Sequence, residues 1–487
     1  MQNWLNNIPD TAALTSGSSN AWNKAALRQR LACMRDALLA RRLPEAPVAI
    51  LADNTPEWIA IDLATQELGV TLVPLPAFFT PAQRAHAIES SGAQAIFCMQ
   101  PVHAQALGFT EKIPCDSELG LYESIHEERR VSLRNVQKIT FTSGTTSEPK
   151  GVCLSTEQQW DVARALHQSL GHMGIRRHLC LLPLPVLLEN IAGVYTALLS
   201  GATTVCPPLA ETGLTGAAQF DPHVCLDAIQ RHQAESVILL PQMLQAMVAV
   251  TRPGDARIRT LKFVAVGGAK TPAALIHAAR AKGFPLFEGY GLSECGSVVS
   301  LNLPGADRPG SAGKPLANRL IRIAADGEIE IGGSDAAHYL GDTPNRAAWL
   351  ATGDIGRLDA DGFLHIDGRK KNILITAYGR NVSPEWPESA LLGTGLLAQA
   401  VVFGDARPYL VAAIVPLGAQ YGPSEIQTAI DEANRALPDY ARIRRWIAVD
   451  PFTSANGLAT ANGRPRRDAI WQAYAAPLES LYDPYGE

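Results

Sequence analysis

The chain contains 487 residues, of which 47% are hydrophobic and 18% are charged, and its formal net charge is −5. One hydrophobic core rarely serves a chain of this length, so at least two domains are expected, and the composition excludes an intrinsically disordered protein. The small negative charge, with only short basic runs such as residues 464–467, argues against nucleic acid as the main partner.

Eight cysteines occur singly along the chain, without a CxxC pair or a Cys/His cluster. This pattern argues against a structural zinc site and is typical of reduced core thiols in a cytoplasmic protein. The first residues lack the basic and apolar regions of a secretory signal. The most apolar stretch, residues 181–207, contains Pro183, Pro185, Glu189 and Asn190, so it predicts buried strand and helix rather than stable membrane insertion.

The first two-thirds of the chain alternate short apolar runs with helical patterns. Strands are predicted at 48–54, 71–76, 94–99, 236–241 and 261–269, and helices at 56–70, 81–92 and 242–250. This repeated strand and helix order predicts an α/β fold with a largely parallel, helix-covered sheet.

The pattern changes at about Asn318, where alternating apolar and polar residues are separated by Asp-Gly turns and predict antiparallel hairpins. Beyond the basic segment 367–372, the pattern predicts a small α+β unit. Its strands are predicted at 399–404, 409–416 and 444–450, and its helix at 424–437. We therefore predict two domains, residues 1–370 and residues 371–487.

The segment ITFTSGTTSEPKGV, residues 139–152, has the composition of a phosphate-binding loop. Small hydroxyl donors stand at Thr142, Ser143, Thr145, Thr146 and Ser147. Gly144 and Gly151 allow close backbone approach, so successive amides can form an anion-binding nest, and Lys150 adds a positive charge suited to phosphate. The segment does not fit the Walker A pattern. Taken alone, it is also compatible with a polar surface loop.

This loop resembles the signature loop of the adenylate-forming superfamily, roughly TSGTTGxPKG, with Ser147 in place of a glycine. The superfamily comprises acyl-CoA synthetases, luciferases and nonribosomal adenylation domains. The resemblance extends from about residue 48 to residue 467 and is closest to fatty acyl-CoA synthetases and acyl-acyl carrier protein ligases. It implies a large N-terminal domain of stacked, helix-covered sheets with a β-rich part, and a small mobile α+β lid at the C-terminus.

Residues 287–294, FEGYGLSE, resemble the adenine and magnesium segment of this superfamily. The resemblance implies that Tyr290 stacks on adenine, that Ser293 donates to phosphate or to the substrate carboxylate, and that Glu294 binds Mg²⁺ with Thr145. It also implies ATP contacts for Gly268, Ala269, Glu288, Gly289 and Gly291. Considered in isolation, the segment favours a buried Tyr-Gly turn.

The motifs ATGD (351–354) and DGRKKN (367–372) follow in the family's order. The resemblance implies that Asp354 accepts both ribose hydroxyls and that Arg369 contacts the ribose or a phosphate. It makes Lys371 the hinge of the small domain, and Gly379 a residue lining the thiol tunnel. The alternative interpretation of the basic run is a solvated linker.

The resemblance implies two half-reactions, with ATP and Mg²⁺ used in the first and coenzyme A or the phosphopantetheine of a carrier protein in the second. The implied catalytic residues are Lys150, Thr145, Glu294 and Arg464. Arg464 is a departure, because the family has a lysine at this position in a pattern like TPTGKIRR, whereas this chain reads TANGRPRR. Arginine keeps the charge but replaces a compact ammonium by a planar fork.

A second departure lies in LPLPVLLEN, residues 182–190, where Val186 stands at a position that is often histidine in long-chain acyl-CoA synthetases. The apolar residues beside it are also compatible with ordinary core. Asp221 lies in an FDP segment that occurs widely in acyl-CoA synthetases, so it is interpreted as structural rather than as an anchor for an amino acid.

The expected substrate is therefore a fatty or other apolar carboxylic acid, with an acyl carrier protein as one candidate partner. An aryl or short-chain acid ligase is the alternative within the enzyme class. From another class, a non-catalytic protein that binds ATP or acyl-adenylate stays open because of Arg464. No residue supports a luciferase-like oxidation.

Overall fold

The computed structural model describes residues 4–17, 21–40, 46–124, 133, 135–142, 149–215, 219–333, 337–342, 348–378, 380–418, 420–460 and 463–482. In chain order its strands are β1 Ala13–Thr15, β2 Trp22–Asn23, β3 Val48–Leu51, β4 Leu72–Pro74, β5 Ala95–Cys98, β6 Phe109–Ile113, β7 Gly120–Ser124, β8 Lys138–Thr142, β9 Lys150–Leu154, β10 Arg177–Leu179, β11 Thr203–Val205, β12 Leu214–Thr215, β13 Gln219–Phe220, β14 Ser236–Leu239, β15 Phe263–Val266, β16 Leu286–Leu292, β17 Ser297–Leu301, β18 Lys314–Pro315, β19 Leu320–Ile323, β20 Glu328–Gly332, β21 His338–Tyr339, β22 Leu350–Leu358, β23 Leu364–Arg369, β24 Leu374–Ile375, β25 Asn381–Val382, β26 Leu397–Phe403, β27 Leu410–Pro416 and β28 Ile443–Ala448.

The α-helices cover both faces of the main sheets. They are α1 Lys24–Ala40, α2 Pro56–Leu68, α3 Pro81–Ser91, α4 Pro101–Ala106, α5 Thr156–Leu170, α6 Thr196–Leu199, α7 Pro222–Arg231, α8 Pro241–Val250, α9 Ala273–Ala281, α10 Glu385–Leu392, α11 Pro423–Arg435, α12 Arg467–Ala473 and α13 Ala475–Ser480. A π-helix, Leu188–Tyr195, runs directly into α6. Among the described helices, none is both long and apolar enough to cross a bilayer.

Local sequence explains where the principal helices begin. The Thr55 hydroxyl accepts from the Trp58 amide at the start of α2, and Pro56 follows at the first helical position, where its missing N–H has no helical partner to lose. Thr80 with Gln83 forms a capping box at α3. Asp221 caps α7 by accepting from the His223 and Val224 amides, which gives it the structural role expected from the sequence.

Two large sheets are stacked with helices between them. The first has the order β18-β17-β16-β15-β14-β10-β11-β1-β2, and the second has the order β21-β9-β8-β4-β3-β5-β7-β6. Their central strands are parallel and several edge pairs are antiparallel. The predicted α/β fold is therefore confirmed, with a mixed rather than uniform strand direction.

Alternation along the strands assigns each side chain to a layer. In β3, Val48 and Ile50 face the core between the sheets, whereas Ala49 and Leu51 face the outer core. The inner core also holds α2, α5 and the π-helix. Helices α7, α8 and α9 cover the far face of the first sheet. Strands buried on both faces explain why the apolar runs in the sequence are nearly continuous.

The later part of the chain forms smaller units. Strands β19, β20, β22 and β23 form an antiparallel sheet, as the Asp-Gly turns predict. The smaller C-terminal domain contains the sheet β26-β27-β28, with α10 and α11 packed on one face and α12 and α13 on the other. This α+β unit agrees with the predicted strands and helix to within about two residues at each end.

Candidate active site

A cavity of about 1930 Å³ opens between the large domain and the C-terminal domain. It is lined by every described residue that the sequence placed in the site: Thr142, Lys150, Gly268, Ala269, Glu288, Gly289, Tyr290, Gly291, Ser293, Glu294, Asp354, Arg369, Lys371 and Arg464. The predicted residues Ser143, Gly144, Thr145, Thr146 and Gly379 lie outside the described residues. Separate sequence motifs therefore converge on one place in the fold.

The predicted phosphate loop connects the antiparallel strands β8 and β9. Thr142, the last residue of β8, is paired with Lys150, the first residue of β9. A Cβ atom on the next residue, Gly151, would lie 2.9 Å from Ile139 Cγ2 and 3.2 Å from Leu340 Cβ, so glycine permits this close packing. The hairpin holds both ends of the loop at the cavity.

Glu294 lies in the 3₁₀ turn that follows β16, and its Oε1 accepts a hydrogen bond from the Tyr339 hydroxyl at 2.5 Å. Burial and this hydrogen bond raise the pKa of Tyr339, so the hydroxyl remains a donor. The Lys150 ammonium lies 5.4 Å from the centre of the same ring. Mg²⁺ is usually held by one or two carboxylates together with phosphate oxygens, so Glu294 fits the role of a magnesium ligand.

Asp354 and Arg369 face each other across the antiparallel strands β22 and β23. Arg369 Nε lies 2.7 Å from Asp354 Oδ1, and the Tyr290 hydroxyl donates to Oδ2 at 2.5 Å. Burial raises the pKa of Asp354, whereas Arg369 and the Tyr290 hydrogen bond lower it. Each carboxylate oxygen can accept more than one hydrogen bond, so acceptor capacity is left for a ligand with paired hydroxyls.

Arg464 reaches this site from the C-terminal domain. Its Nη2 donates to the Gly268 carbonyl oxygen, at the loop that follows β15. Gly268 has a φ of +84°, which favours glycine at the turn. Surrounding protein atoms and Arg369 lower the pKa of Arg464, whereas Asp354 raises it. The arginine that departs from the family's lysine therefore lies in the same cavity as Asp354 and Arg369.

Lys371 adds to a concentration of positive charge. Burial lowers the pKa of Lys371, the charges of Arg369, Lys150 and Arg464 lower it further, and Asp468 raises it. These four cations come from three separate parts of the chain. Such a cluster lowers the cost of bringing phosphate anions into the cavity.

Glu288 is bonded to the loop that follows β15. Its Oε1 accepts from the Thr271 amide at 3.0 Å, and Asn302 Nδ2 donates to the Glu288 carbonyl oxygen at 3.0 Å. Burial raises the pKa of Glu288 to about 7, while the Thr271 amide and Lys270 lower it. The carboxylate is therefore tied to the segment that follows Gly268 and Ala269.

A largely apolar branch of the cavity passes between the first sheet and the π-helix. Its walls include Phe263 and Ala265 from β15, Leu188 and Ala192 from the π-helix, and Val298 from β17. Val186 and Leu187 both line the cavity, and Leu187 also belongs to the inner core. The segment 186–188 thus contributes to both the cavity and the core.

His178, Cys180 and Glu189 come together beneath the π-helix, with their donor atoms within 4.8 Å of one another. His178 Nε2 lies 2.8 Å from Glu189 Oε1, and Glu189 Oε2 accepts from the Leu181 and Leu182 amides. The ring nitrogens of His178 and the carboxylate oxygens of Glu189 are all hydrogen-bonded within the protein. We therefore interpret His178 and Glu189 as a buried polar pair rather than as metal ligands.

Several residues around the site were not anticipated from the sequence. Tyr339 holds Glu294, and the Thr352 hydroxyl donates to the Ile329 carbonyl and accepts from the Asp354 amide. Lys270 Nζ donates to the Ile366 carbonyl at 3.0 Å. Thr352 could have been found from its place in the ATGD motif. No sequence motif indicated Tyr339 as a residue of the site.

Comparisons with known proteins agree with this architecture. A sequence model of AMP-binding enzymes matches residues 1–333, and a model of the AMP-binding enzyme C-terminal domain matches residues 371–485. The long-chain-fatty-acid–CoA ligase FadD15 of Mycobacterium bovis is 27% identical over 90% of this chain and 88% of its own. The 2-succinylbenzoate–CoA ligase of Bacillus velezensis is 30% identical over 74% of this chain and 75% of its own.

Solved structures share the fold. The anthranilate CoA ligase AuaEII, in complex with anthranoyl-AMP, has a TM-score of 0.79 and 20% identity over 96% of this chain and 95% of its own. The Bacillus subtilis O-succinylbenzoate coenzyme A synthetase, in complex with ATP and a magnesium ion, has a TM-score of 0.75 and 24% identity over 94% and 96% of the two chains. Taken with the sequence matches, these likenesses establish that the chain belongs to the AMP-binding enzyme family, within the adenylate-forming superfamily and near its acyl-CoA synthetases.

Proposed function

We propose that this protein uses MgATP to convert a carboxylic acid with a largely apolar body to its acyl-adenylate, and then transfers the acyl group to coenzyme A. The observation that carries the proposal is the cluster of Lys150, Arg369, Lys371 and Arg464 in a cavity that continues as an apolar branch. Coenzyme A ligases among the relatives support this acceptor. The phosphopantetheine arm of a carrier protein offers the same thiol and is compared in the test.

In the first half-reaction, a carboxylate oxygen attacks the α-phosphorus of ATP and the bond to pyrophosphate breaks. Both reactants are anions, so catalysis depends on positioning and on neutralisation of charge. Lys150 and Arg464 supply positive charge, and Asp354 accepts the ribose hydroxyls with its remaining lone pairs. Glu294 and the predicted ligand Thr145 would hold Mg²⁺, which when bound would neutralise phosphate charge.

In the second half-reaction, the thiol sulfur attacks the acyl carbonyl carbon. The bond from that carbon to the phosphate oxygen breaks, AMP leaves with the electron pair, and the thiol proton passes to solvent. We place the domain boundary between residues 370 and 371, with Lys371 as the hinge. Turning the C-terminal domain about this hinge would move Arg464 away from Gly268 and bring the segment around Gly379 to the thiol.

The apolar walls of the branch support an acid whose body is apolar. A fatty chain and an aryl ring both meet this description, and relatives named for each occur. The test of the function is acid-dependent ATP–pyrophosphate exchange with fatty, aryl and amino acids, followed by transfer to coenzyme A or to a phosphopantetheinylated carrier protein. Binding of ATP without exchange for any acid would contradict the proposal and favour a non-catalytic nucleotide-binding protein.

Glu294→Ala is expected to reduce pyrophosphate exchange by about 10²-fold or more, because the proposed magnesium ligand is lost. The control variant is Glu157→Ala, which removes an exposed carboxylate that pairs with Arg164 and is expected to leave the exchange rate unchanged. Exchange is measured with increasing Mg²⁺ at saturating acid and ATP. An unchanged rate and unchanged magnesium dependence in Glu294→Ala would contradict the role of Glu294.

Lys371→Pro is expected to retain acyl-adenylate formation but to slow thioester formation by at least about tenfold, because proline fixes the φ angle of the hinge. Single-turnover assays of the two steps separate these effects. Lys371→Ala is the matched control, since it removes the charge but keeps backbone rotation. Equal loss of both steps in Lys371→Pro, beyond that in Lys371→Ala, would place the hinge elsewhere.

A further inference from the structure

The cavity follows β15 from the loop beyond its carboxyl end to its first residue. Its lining includes Gly268 and Gly267 beyond the end of β15, and Ala265 and Phe263 within it. Five residue steps separate Gly268 from Phe263, which corresponds to about 17 Å of strand. Phe263 pairs with Ser236, and Ser236 pairs with His178, so these three residues form one row across the far end of the branch.

The row ends in a buried polar pair. Glu189 Oε2 accepts hydrogen bonds from the Leu181 and Leu182 amides, and Glu189 Oε1 lies 2.8 Å from His178 Nε2. Burial lowers the pKa of His178, but hydrogen bonds to Cys180 and Glu189 outweigh it and raise the pKa to about 10. The bond to Glu189 fixes the orientation of the His178 ring.

The second ring nitrogen of His178 is bonded to Ser236, with Nδ1 3.0 Å from Ser236 Oγ. A serine hydroxyl can donate one hydrogen bond and accept two, so a single bond to His178 leaves part of this capacity unused. Within the described part of the chain, Ser236 Oγ has no hydrogen-bond partner other than His178, and Ser236 lines the cavity.

Neighbouring hydroxyls on the cavity wall differ from Ser236 because they donate to backbone carbonyls. Thr196 Oγ1 donates to the Ile191 carbonyl at 3.3 Å, and Ser200 Oγ donates to the Thr196 carbonyl at 2.8 Å. Gly193 allows the π-helix to pack closely on the pair, since a Cβ there would lie 2.4 Å from Glu189 Oε1 and 2.6 Å from His178 Nε2. The far end of the branch therefore presents the Ser236 hydroxyl with hydrogen-bonding capacity left for a ligand.

We propose that Ser236, held by His178 and Glu189, is a specificity-determining subsite that binds a hydroxyl group near the far end of the acid. The proposal rests on the proposed function, because it assigns the body of the acid to this branch. A hydroxyl group can donate or accept, so it pairs with the unused capacity of Ser236 in either direction. A plain alkyl end would leave that capacity without a partner, which costs binding.

The test compares paired acids that differ only by a distal oxygen. Unsubstituted alkanoic acids and ω-hydroxyalkanoic acids of about 10 to 16 carbons are used, because a strand length of about 17 Å corresponds to about 13 carbons at the projected C–C spacing. A 10-phenyldecanoic and 10-(4-hydroxyphenyl)decanoic acid pair, whose para position lies at about the same 17 Å, covers aryl substrates. The ratio of kcat/KM between oxygenated and plain acids, measured by pyrophosphate exchange, is expected to peak at one length.

Ser236→Ala is expected to lower that peak ratio by about 3- to 10-fold, the value of one hydrogen bond to a neutral group. Ser236→Thr keeps a hydroxyl and is expected to restore the ratio. Ser200→Ala, which removes a cavity hydroxyl already bonded within its helix, is the matched control and is expected to leave the ratio unchanged.

The outcomes separate the two proposals. Exchange with the acids, but the same ratio in the wild type and Ser236→Ala at every length and for the aryl pair, would overturn the subsite alone. No exchange with any acid would contradict the proposed function and the subsite with it.

Discussion

Arg464→Ala is expected to reduce pyrophosphate exchange by about 10²- to 10³-fold, the usual effect of removing one preorganised group that stabilises developing charge. The guanidinium donates to the Gly268 carbonyl and lies within electrostatic reach of Asp354 and Arg369. It is also supplied by the C-terminal domain, so its loss removes a contact between the domains. The measurement is exchange with the preferred acid, with unfolding followed in parallel.

Arg464→Lys separates charge from shape. We expect it to retain or exceed wild-type exchange, because the family carries lysine at this position and a compact ammonium suits a phosphate oxygen. Arg444→Ala, which removes an exposed arginine paired with Asp439, controls for a general loss of positive charge. A complete loss in Arg464→Lys would show that the planar fork has a specific role. Wild-type exchange in Arg464→Ala would remove Arg464 from the catalytic residues.

The parts of the site that one short segment supplies could be predicted from the sequence. The phosphate hairpin, the segment FEGYGLSE and the ATGD motif each place their residue types within a few positions, and turn residues mark their ends. The described members of each segment line the same cavity. The fold class was predictable for the same reason, since strand and helix periods are local properties of the chain.

Contacts between segments were not predictable. Tyr339 donates to Glu294 across 45 positions in the sequence, and Arg464 donates to the Gly268 carbonyl across 196 positions. Each depends on strand order or on the packing of two domains, neither of which is encoded in a local pattern. The Ser236 row requires a sheet register as well, because a shift of one residue would turn Ser236 to the opposite face.

Lys138 shows a different limit of sequence interpretation. As the first residue of an apolar strand, it has the pattern of a solvated flank, since lysine is almost never fully buried without a partner. In the structure both Lys138 and Asp62 have no exposed surface, and Lys138 Nζ lies 2.9 Å and 3.0 Å from the two Asp62 oxygens. Asp62 belongs to α2 and Lys138 to β8, and 76 positions separate them in the sequence. No local pattern could therefore indicate their contact.

Asp62 is the centre of a buried polar cluster between the two sheets. Its Oδ2 accepts from the Tyr195 hydroxyl at 2.7 Å and from Asn190 Nδ2 at 2.9 Å, both in the π-helix. Gln66 donates to the same hydroxyl and accepts from Trp160 Nε1. The cluster thus ties α2, α5, β8 and the π-helix together in the core between the sheets.

Asp62→Ala is expected to lower the free energy of unfolding by about 3–5 kcal/mol, because it leaves the Lys138 charge buried without its counter-ion. The measurement is urea unfolding followed by tryptophan fluorescence, with attention to the first transition, since a chain with two domains need not unfold in one step. Trp160, which stacks on Tyr195 at 4.6 Å between ring centres, reports directly on this core.

Two variants test the reason for that loss. Asp36→Ala removes an exposed carboxylate that lies 3.9 Å from Arg35 Nε, and it is expected to change stability by less than about 1 kcal/mol.

Asp62→Leu combined with Lys138→Met removes both charges, so it is expected to recover part of the stability that Asp62→Ala loses. Recovery stays incomplete because Tyr195 and Asn190 lose their acceptor. If the double variant is as unstable as Asp62→Ala, the unpaired Lys138 charge is not the source of the loss, and the hydrogen bonds to the π-helix carry the stability instead.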